Sequence, residues 1–228
     1  MPQPETNYDG FRYCAHQGES APIGAGGLPR WPHKRITWRV LQPLPQFAND
    51  AYRAAIAEAG RRWAEACGIE WVEAQQGETA NLAFYVVSQT PGGMLAQCYL
   101  PYQGITPQHS LRCEVDKAEG AAWCISDNPP SSRLDLVRVL THEIGHGLGV
   151  SHLGEQSGCL MAPVYSSKIG WPQAGDIAEV VARYGQPVEQ PKQPEIPTTP
   201  EGEAELLRII SKGGKVVVRF ADGREVQA

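Results

Sequence analysis

The stretch HEIGHGLGVSH, residues 142–152, decides the reading of this chain. His142 and His146 stand one helical turn apart, so on a helix both imidazoles share a face and can reach a single ion. Glu143 adjoins the first histidine. Its carboxylate falls beside such an ion rather than on it, where it can take a proton from water. The chain must then bend back to deliver His152, and Gly149 accepts the dihedrals that such a bend needs. Three neutral imidazoles leave a fourth position open to water, which is the arrangement of a catalytic rather than a structural zinc. The plain alternative is a pair of surface histidines on a helix. It is weak because a third histidine and an intervening glycine stand at fixed offsets on a helix inferred without them.

That helix is read over 132–149, where Leu134, Val137, Leu140, Ile144 and Leu148 lie on one side. Pro129-Pro130 sits upstream, Ser131 or Ser132 is the expected cap, and Gly149 ends it. Before it, Ile36, Trp38 and Val40 alternate through residues 34–40 and predict a strand. Residues 46–67 repeat apolar side chains at three- and four-residue steps and predict a long helix, with Asn49 or Asp50 capping and Gly68 stopping it. Strands are expected at 69–74, 81–88, 94–101 and 110–116, the second as a buried apolar run. After the histidines, 173–185 predicts a last helix ending at Gly185. Strands and helices in this order give an α+β class. Residues 1–29 read as an extended arm and 187–203 as a proline-rich linker. Residues 204–228 alternate around two glycine turns as a small β-hairpin module or tail, too small to stand alone.

Composition excludes several functions. The 228 residues carry 20 basic and 25 acidic side chains, a net charge of −5, which is the wrong sign for a general nucleic-acid binder. No run is long and apolar enough to span a membrane. Nothing in the pattern asks for a second subunit, so a monomer is expected. The six cysteines include no C-x-x-C pair, which argues against a thiolate zinc knuckle. MPQPETNYDG does not read as a secretory signal.

HEIGHGLGVSH is similar to the H-E-x-x-H-x-x-G-x-x-H signature of the metzincin metallopeptidases. CLMAPVY (159–165) looks like their Met-turn. Within that clan the chain resembles the matrixins, the matrix-metalloproteinase-like group, whose Met-turn usually reads L-M-Y-P-x-Y; Ala162 replaces the tyrosine here. GGMLAQCYLP resembles the family segment G-G-x-L-A-H-A-F-x-P, and PQAGDIAEVVARYG resembles its closing helix. The resemblance covers roughly residues 30–186. It implies a zincin-like fold with a twisted five-stranded mixed sheet and two long helices, and a small C-terminal subdomain holding the Met-turn and a third helix.

The function that follows is a zinc-dependent endopeptidase acting on protein or peptide substrates. His142, His146 and His152 would bind zinc and Glu143 would be the general base. Met161 would form an apolar floor below the histidines, Val164 and Tyr165 would line the primed-side pocket, and Asp176 would brace the Met-turn. Residues 94–101 would border the unprimed side and pair with an extended substrate. Such an activity argues for secretion. The alternative is a latent or non-catalytic zinc-containing binding module on the same fold.

Departures from the family pattern carry their own expectations. Gln97 stands where relatives have histidine, and His109 is the lone histidine between residues 103 and 110, so the family's structural zinc is not expected. Glu114, Asp116 and Glu119 loosely echo its calcium carboxylates; Ca2+ is one reading and a solvated acidic turn the other. Gly175 replaces an aspartate that pairs with the freed N-terminus in many relatives. Cys98 and Cys113, then Cys124 and Cys159, are candidates for bridges, while Cys67 reads as a buried thiol. Cys14 is either a latency switch occupying the open zinc position or a disulfide partner.

Overall fold

Ile36 and Trp38 are buried at the centre of the first strand, β1 (Arg35–Val40). The computed structural model describes residues 28–88, 94–102, 104–117, 122–155 and 157–187, together with strands at 206–212, 215–220 and 225–227. Helix α1 (Asn49–Cys67) follows β1 and buries Tyr52, Ala55, Ile56, Ala59 and Trp63 on one face. It begins at Asn49 rather than 46, with Ala48 as a cap that offers no side-chain bond; Gly68 ends it in the left-handed conformation (φ 67°). Strands β2 (Glu70–Glu73), β3 (Leu82–Val87), β4 (Ala96–Cys98) and β5 (Leu111–Asp116) complete a five-stranded sheet in the order β2-β1-β3-β5-β4. Its pairs are parallel except the antiparallel β4–β5 edge. The sheet is therefore mixed, as the resemblance implied. β4 is shorter than the run read at 94–101.

Two short strands, β6 (Trp123–Cys124) and β7 (Leu134–Asp135), pair in parallel just before the histidine helix. This pairing corrects the expected helix start. Helix α2 spans Leu136–Gly147, and Asp135, not Ser131 or Ser132, caps it by accepting from the backbone N–H groups of Val137 and Arg138. Leu134 and Asp135 are held in extended structure by pairing with Trp123 and Cys124, and the residues before them form a turn, so none of these joins the helix. The α2 glycines lie where the helix meets its neighbours. A Cβ on Gly145 would fall 2.5 Å from Met161 Sδ and 2.7 Å from Trp63; one on Gly147 would fall 2.7 Å from Leu82. Their cost in helix propensity of about 1 kcal/mol each is thus set against close packing onto Leu82 of the sheet, Met161 and Trp63.

Helix α3 (Ala174–Tyr184) starts with a capping box between Gln173 and Asp176. Gly175 admits the Cys159 sulfur, which would lie 2.7 Å from a Cβ there. Cys67, Cys98, Cys113, Cys124 and Cys159 are all thiols in the structure, so neither suggested bridge is formed. Cys14 and Glu119 lie outside the described residues. Among the described residues no helix is long and apolar enough to cross a membrane. The chain divides into compact units Met1–Pro187 and Val188–Ala228. In the second, β8 (Leu206–Lys212), β9 (Lys215–Phe220) and β10 (Glu225–Gln227) form a three-stranded antiparallel sheet ordered β10-β9-β8.

Candidate metal centre

Helix α2 projects His142 and His146 from successive turns, and the bend after it returns His152 to the same point. The bend is sharp because Gly149 takes φ 96°, a conformation that disfavours other residues. The Nε2 atoms of His142 and His146 lie 3.2 Å apart, those of His146 and His152 3.2 Å, and those of His142 and His152 3.3 Å. Tetrahedral ligands bonded at about 2.0–2.1 Å to one zinc ion stand roughly 3.3–3.4 Å from each other. The triangle has that size.

The tautomers agree with it. His142 Nδ1 lies 2.8 Å from the carbonyl oxygen of Leu160, and His146 Nδ1 lies 2.8 Å from that of Val150. A carbonyl only accepts, so each Nδ1 carries the proton and each Nε2 keeps its lone pair. Two lone pairs pointed at one spot, with a third imidazole nitrogen beside them, repel unless a cation lies between them. The donor set therefore fits zinc, with His142 and His146 buried and His152 half-buried.

Glu143 is buried, and its carboxylate oxygens have no well-formed hydrogen bond among the described residues, only a weak one from the Cys98 backbone. Burial pushes its carboxyl well above the usual range, opposed by the smaller pull of the Cys98 backbone. A buried carboxylate so weakly bonded costs several kcal/mol unless water or a cation compensates it.

Met161 is fully buried, and its Sδ would lie 2.5 Å from a Cβ on Gly145 of the histidine helix. Asp176 accepts from Met161 N (2.9 Å) at Oδ1, and from Leu160 N (2.8 Å) and Gln173 N (2.7 Å) at Oδ2. Val164 is half-buried. Tyr165 is buried, its hydroxyl accepting from Asp135 N (3.0 Å), and burial pushes its phenol up to about 12. Of the calcium candidates, Glu114 is bound by Arg112 at 2.6 Å and Asp116 is buried.

Two arginines escaped the sequence reading. Arg138 donates to Ser166 O (2.8 Å), and Arg62 bonds Gly170 O, so buried guanidiniums from α2 and α1 grip the loop after Tyr165. A signal existed for Arg138: it precedes His142 by one turn and so lies on the ligand face. A cavity of about 500 Å3 between α1 and the start of α2, lined by Ala54, Glu58, Asp127 and Val137 among others, is not lined by the histidines.

Comparison with known proteins gives the same family. The family model described as Matrixin matches residues 30–185. Neutrophil collagenase of Homo sapiens is 31% identical over 187 residues, covering 77% of this chain and 37% of the relative. Interstitial collagenase of Sus scrofa is 29% identical over 185 residues, with the same coverages of 77% and 37%. Metalloendoproteinase 1 of Glycine max is 31% identical over 138 residues, covering 55% of this chain and 42% of the relative. The chain thus spans well under half the length of these relatives.

Proposed function

The chain belongs to the matrixin family, and from that premise we propose that it is a zinc-dependent endopeptidase with His142, His146 and His152 as ligands and Glu143 as general base. The observation that carries this reading is the convergence of three Nε2 atoms within 3.3 Å of one another, two with their tautomer fixed, on a helix that also buries the Glu143 carboxylate. Bound zinc supplies a Lewis acid that polarises a peptide carbonyl and lowers the pKa of water toward about 7. Leu160 O and Val150 O hold the Nδ1 protons of His142 and His146, which orients both rings for binding. Glu143 takes a proton from the attacking water at a carboxylate oxygen and later passes it to the leaving amine. Burial favours the protonated form in which it carries that proton.

Met161 and the backbone around it form the floor, braced by Asp176. The outer edge of β4 offers backbone groups to an extended peptide, which adds as a further strand. Val164 and Tyr165 wall the other side of the scissile bond. The domain of residues 30–186 carries the chemistry, with 1–29 as an arm, 187–203 as a linker and 204–228 as an accessory module. The substrates are proteins or peptides met outside the cell, cleaved by a monomer.

The test uses the purified full chain. About one zinc per chain and chelator-sensitive cleavage of casein or mixed peptides are expected. Glu143→Ala should keep the metal and lower turnover by roughly 10²–10⁴-fold. Cleavage at the wild-type rate by that variant would sink the assignment of the base. Metal without cleavage in the wild type would favour the latent or non-catalytic binding module.

A further inference from the structure

The thiols of Cys98 and Cys113 take no part in this chemistry, yet both are fully buried, with the Cys98 backbone next to the Glu143 carboxyl. They stand opposite each other on the antiparallel β4–β5 ladder. Neighbouring bonds fix the kind of pair. Tyr99 N donates to Arg112 O (3.2 Å) and Asp116 N donates to Leu95 O (3.0 Å). Opposed pairs in such a ladder alternate between hydrogen-bonded and non-hydrogen-bonded. Tyr99–Arg112 is of the first kind, so its neighbour Cys98–Cys113 is of the second. At such a pair the Cα atoms lie about 4.5 Å apart and the side chains approach most closely. A disulfide needs Cα atoms about 4.4–6.8 Å apart. The two thiols are already in hydrogen-bonding contact. Among the described cysteines no other two face each other across a ladder: Cys67 donates to Trp63 O, and Cys159 lies against Ser157 and Gly175.

We propose that Cys98 and Cys113 are an oxidation site, joined by a disulfide that staples edge strand β4 to β5 when the chain folds in an oxidising compartment. Each thiol loses its proton and one electron, and a sulfur–sulfur bond forms. The two electrons reduce a small disulfide, such as oxidised glutathione, to two thiols. Both sulfurs are sealed in the native core, so exchange takes place during folding or local opening of the edge. The position gives the bond its consequence. Cys98 Sγ would lie 3.2 Å from a Cβ on Gly147, the residue after His146. β4 is three residues long and is held in the sheet through β5 alone. The staple therefore fixes the strand that borders the ligand helix. Closing a loop of about 15 residues should raise the folding equilibrium constant about a hundredfold.

The experiment folds the full chain in a glutathione redox buffer and, separately, in dithiothreitol. Each sample is denatured, alkylated, digested and mapped by mass spectrometry, and each is unfolded in urea. The expected result is a peptide pair joined through Cys98 and Cys113 in the oxidised sample only, with the hundredfold gain in stability. That gain should vanish in Cys98→Ala and in Cys113→Ala. Alkylation of both cysteines after oxidative folding, or a bond from Cys98 to any other cysteine, overturns the proposal. The mapping needs only the wild-type chain, so it decides the matter even where a variant fails to fold. Neither readout depends on peptide hydrolysis.

Discussion

Asp176→Ala should weaken the fold and the metal centre together. The carboxylate is fully buried and accepts three backbone N–H groups, from Leu160, Met161 and Gln173. Hydrogen bonds to a charged acceptor contribute about 1.5–3 kcal/mol each, so three set a ceiling of roughly 4–9 kcal/mol. Two donors share one oxygen and water can enter the vacated space, so the expected loss is about 3–5 kcal/mol. The Asp176→Asn variant would keep one oxygen for Leu160 and Gln173 but turn its amide N–H groups on Met161 N–H, so its loss should be intermediate. The effect reaches the metal through one residue. Leu160 donates to Asp176 with its N–H and receives His142 Nδ1 on its carbonyl. Loss of such an outer partner typically lowers metal affinity 10–100-fold. Urea unfolding of metal-free protein gives the stability change apart from linkage, and competition with a chromophoric chelator gives the zinc dissociation constant. A stability loss below about 1 kcal/mol would refute the hydrogen-bond accounting. Unchanged zinc affinity in a destabilised variant would refute the path through Leu160.

Gly145→Ala forces a methyl against Met161 Sδ and Trp63; it should cost about 1–3 kcal/mol in urea unfolding, since the methionine end can yield. Gly149→Ala should cost more, at least about 2 kcal/mol, because its Cβ would meet the Pro29 carbonyl oxygen at 2.0 Å and its φ of 96° disfavours a side chain. A smaller loss than Gly145→Ala in the same assay would contradict the difference between a backbone and a side-chain obstacle. Burial pushes the Cys67 thiol from 9.0 to about 11. The unfolded thiol then ionises first, so this stabilisation is complete below pH 9 and is lost as pH rises through 11. Between pH 8 and 11 the wild type should lose about 2 kcal/mol more than Cys67→Ala; equal losses would remove Cys67 as the titrating group.

Local spacing made much of this molecule legible. The four-residue interval from His142 to His146, and the glycine before His152, suffice to predict three imidazoles at one point. The apolar steps of α1 and the stop at Gly68 needed no tertiary information either. What was hidden depends on partners far along the chain. Ser131 and Ser132 are reasonable caps by composition, but they lie in a turn, and pairing of Leu134–Asp135 with Trp123–Cys124 delays the helix to Leu136. The apolar run at 94–101 is a good strand by propensity, yet its bonds to β5 reach only from Leu95 to Tyr99 among the described residues, with Ala96–Cys98 as the strand proper. Buried Arg62 and Arg138 went unread because the carbonyls that bind them belong to a loop with no periodicity.

The same long-range logic governs the histidines. The carbonyl that orients His146 comes from Val150, just past the bend at Gly149; the one that orients His142 comes from Leu160, on the Met-turn. The bend is held from two further directions. Trp31 Nε1 donates to Gly147 O and Arg183 Nε to Gly149 O, while the Tyr184 hydroxyl donates to Leu148 O. Segments around residues 31, 148, 160, 176 and 184 must therefore all be in place before two of the three lone pairs point at one spot. An isolated peptide of residues 136–152 would have the histidine spacing but not the oriented rings. Converging unprotonated nitrogens repel in the absence of a cation, so the folded domain holds them there at a cost that a bound cation would reverse. Metal affinity and the stability of this domain are then linked, and a change that loosens either the bend or the Met-turn is felt in both.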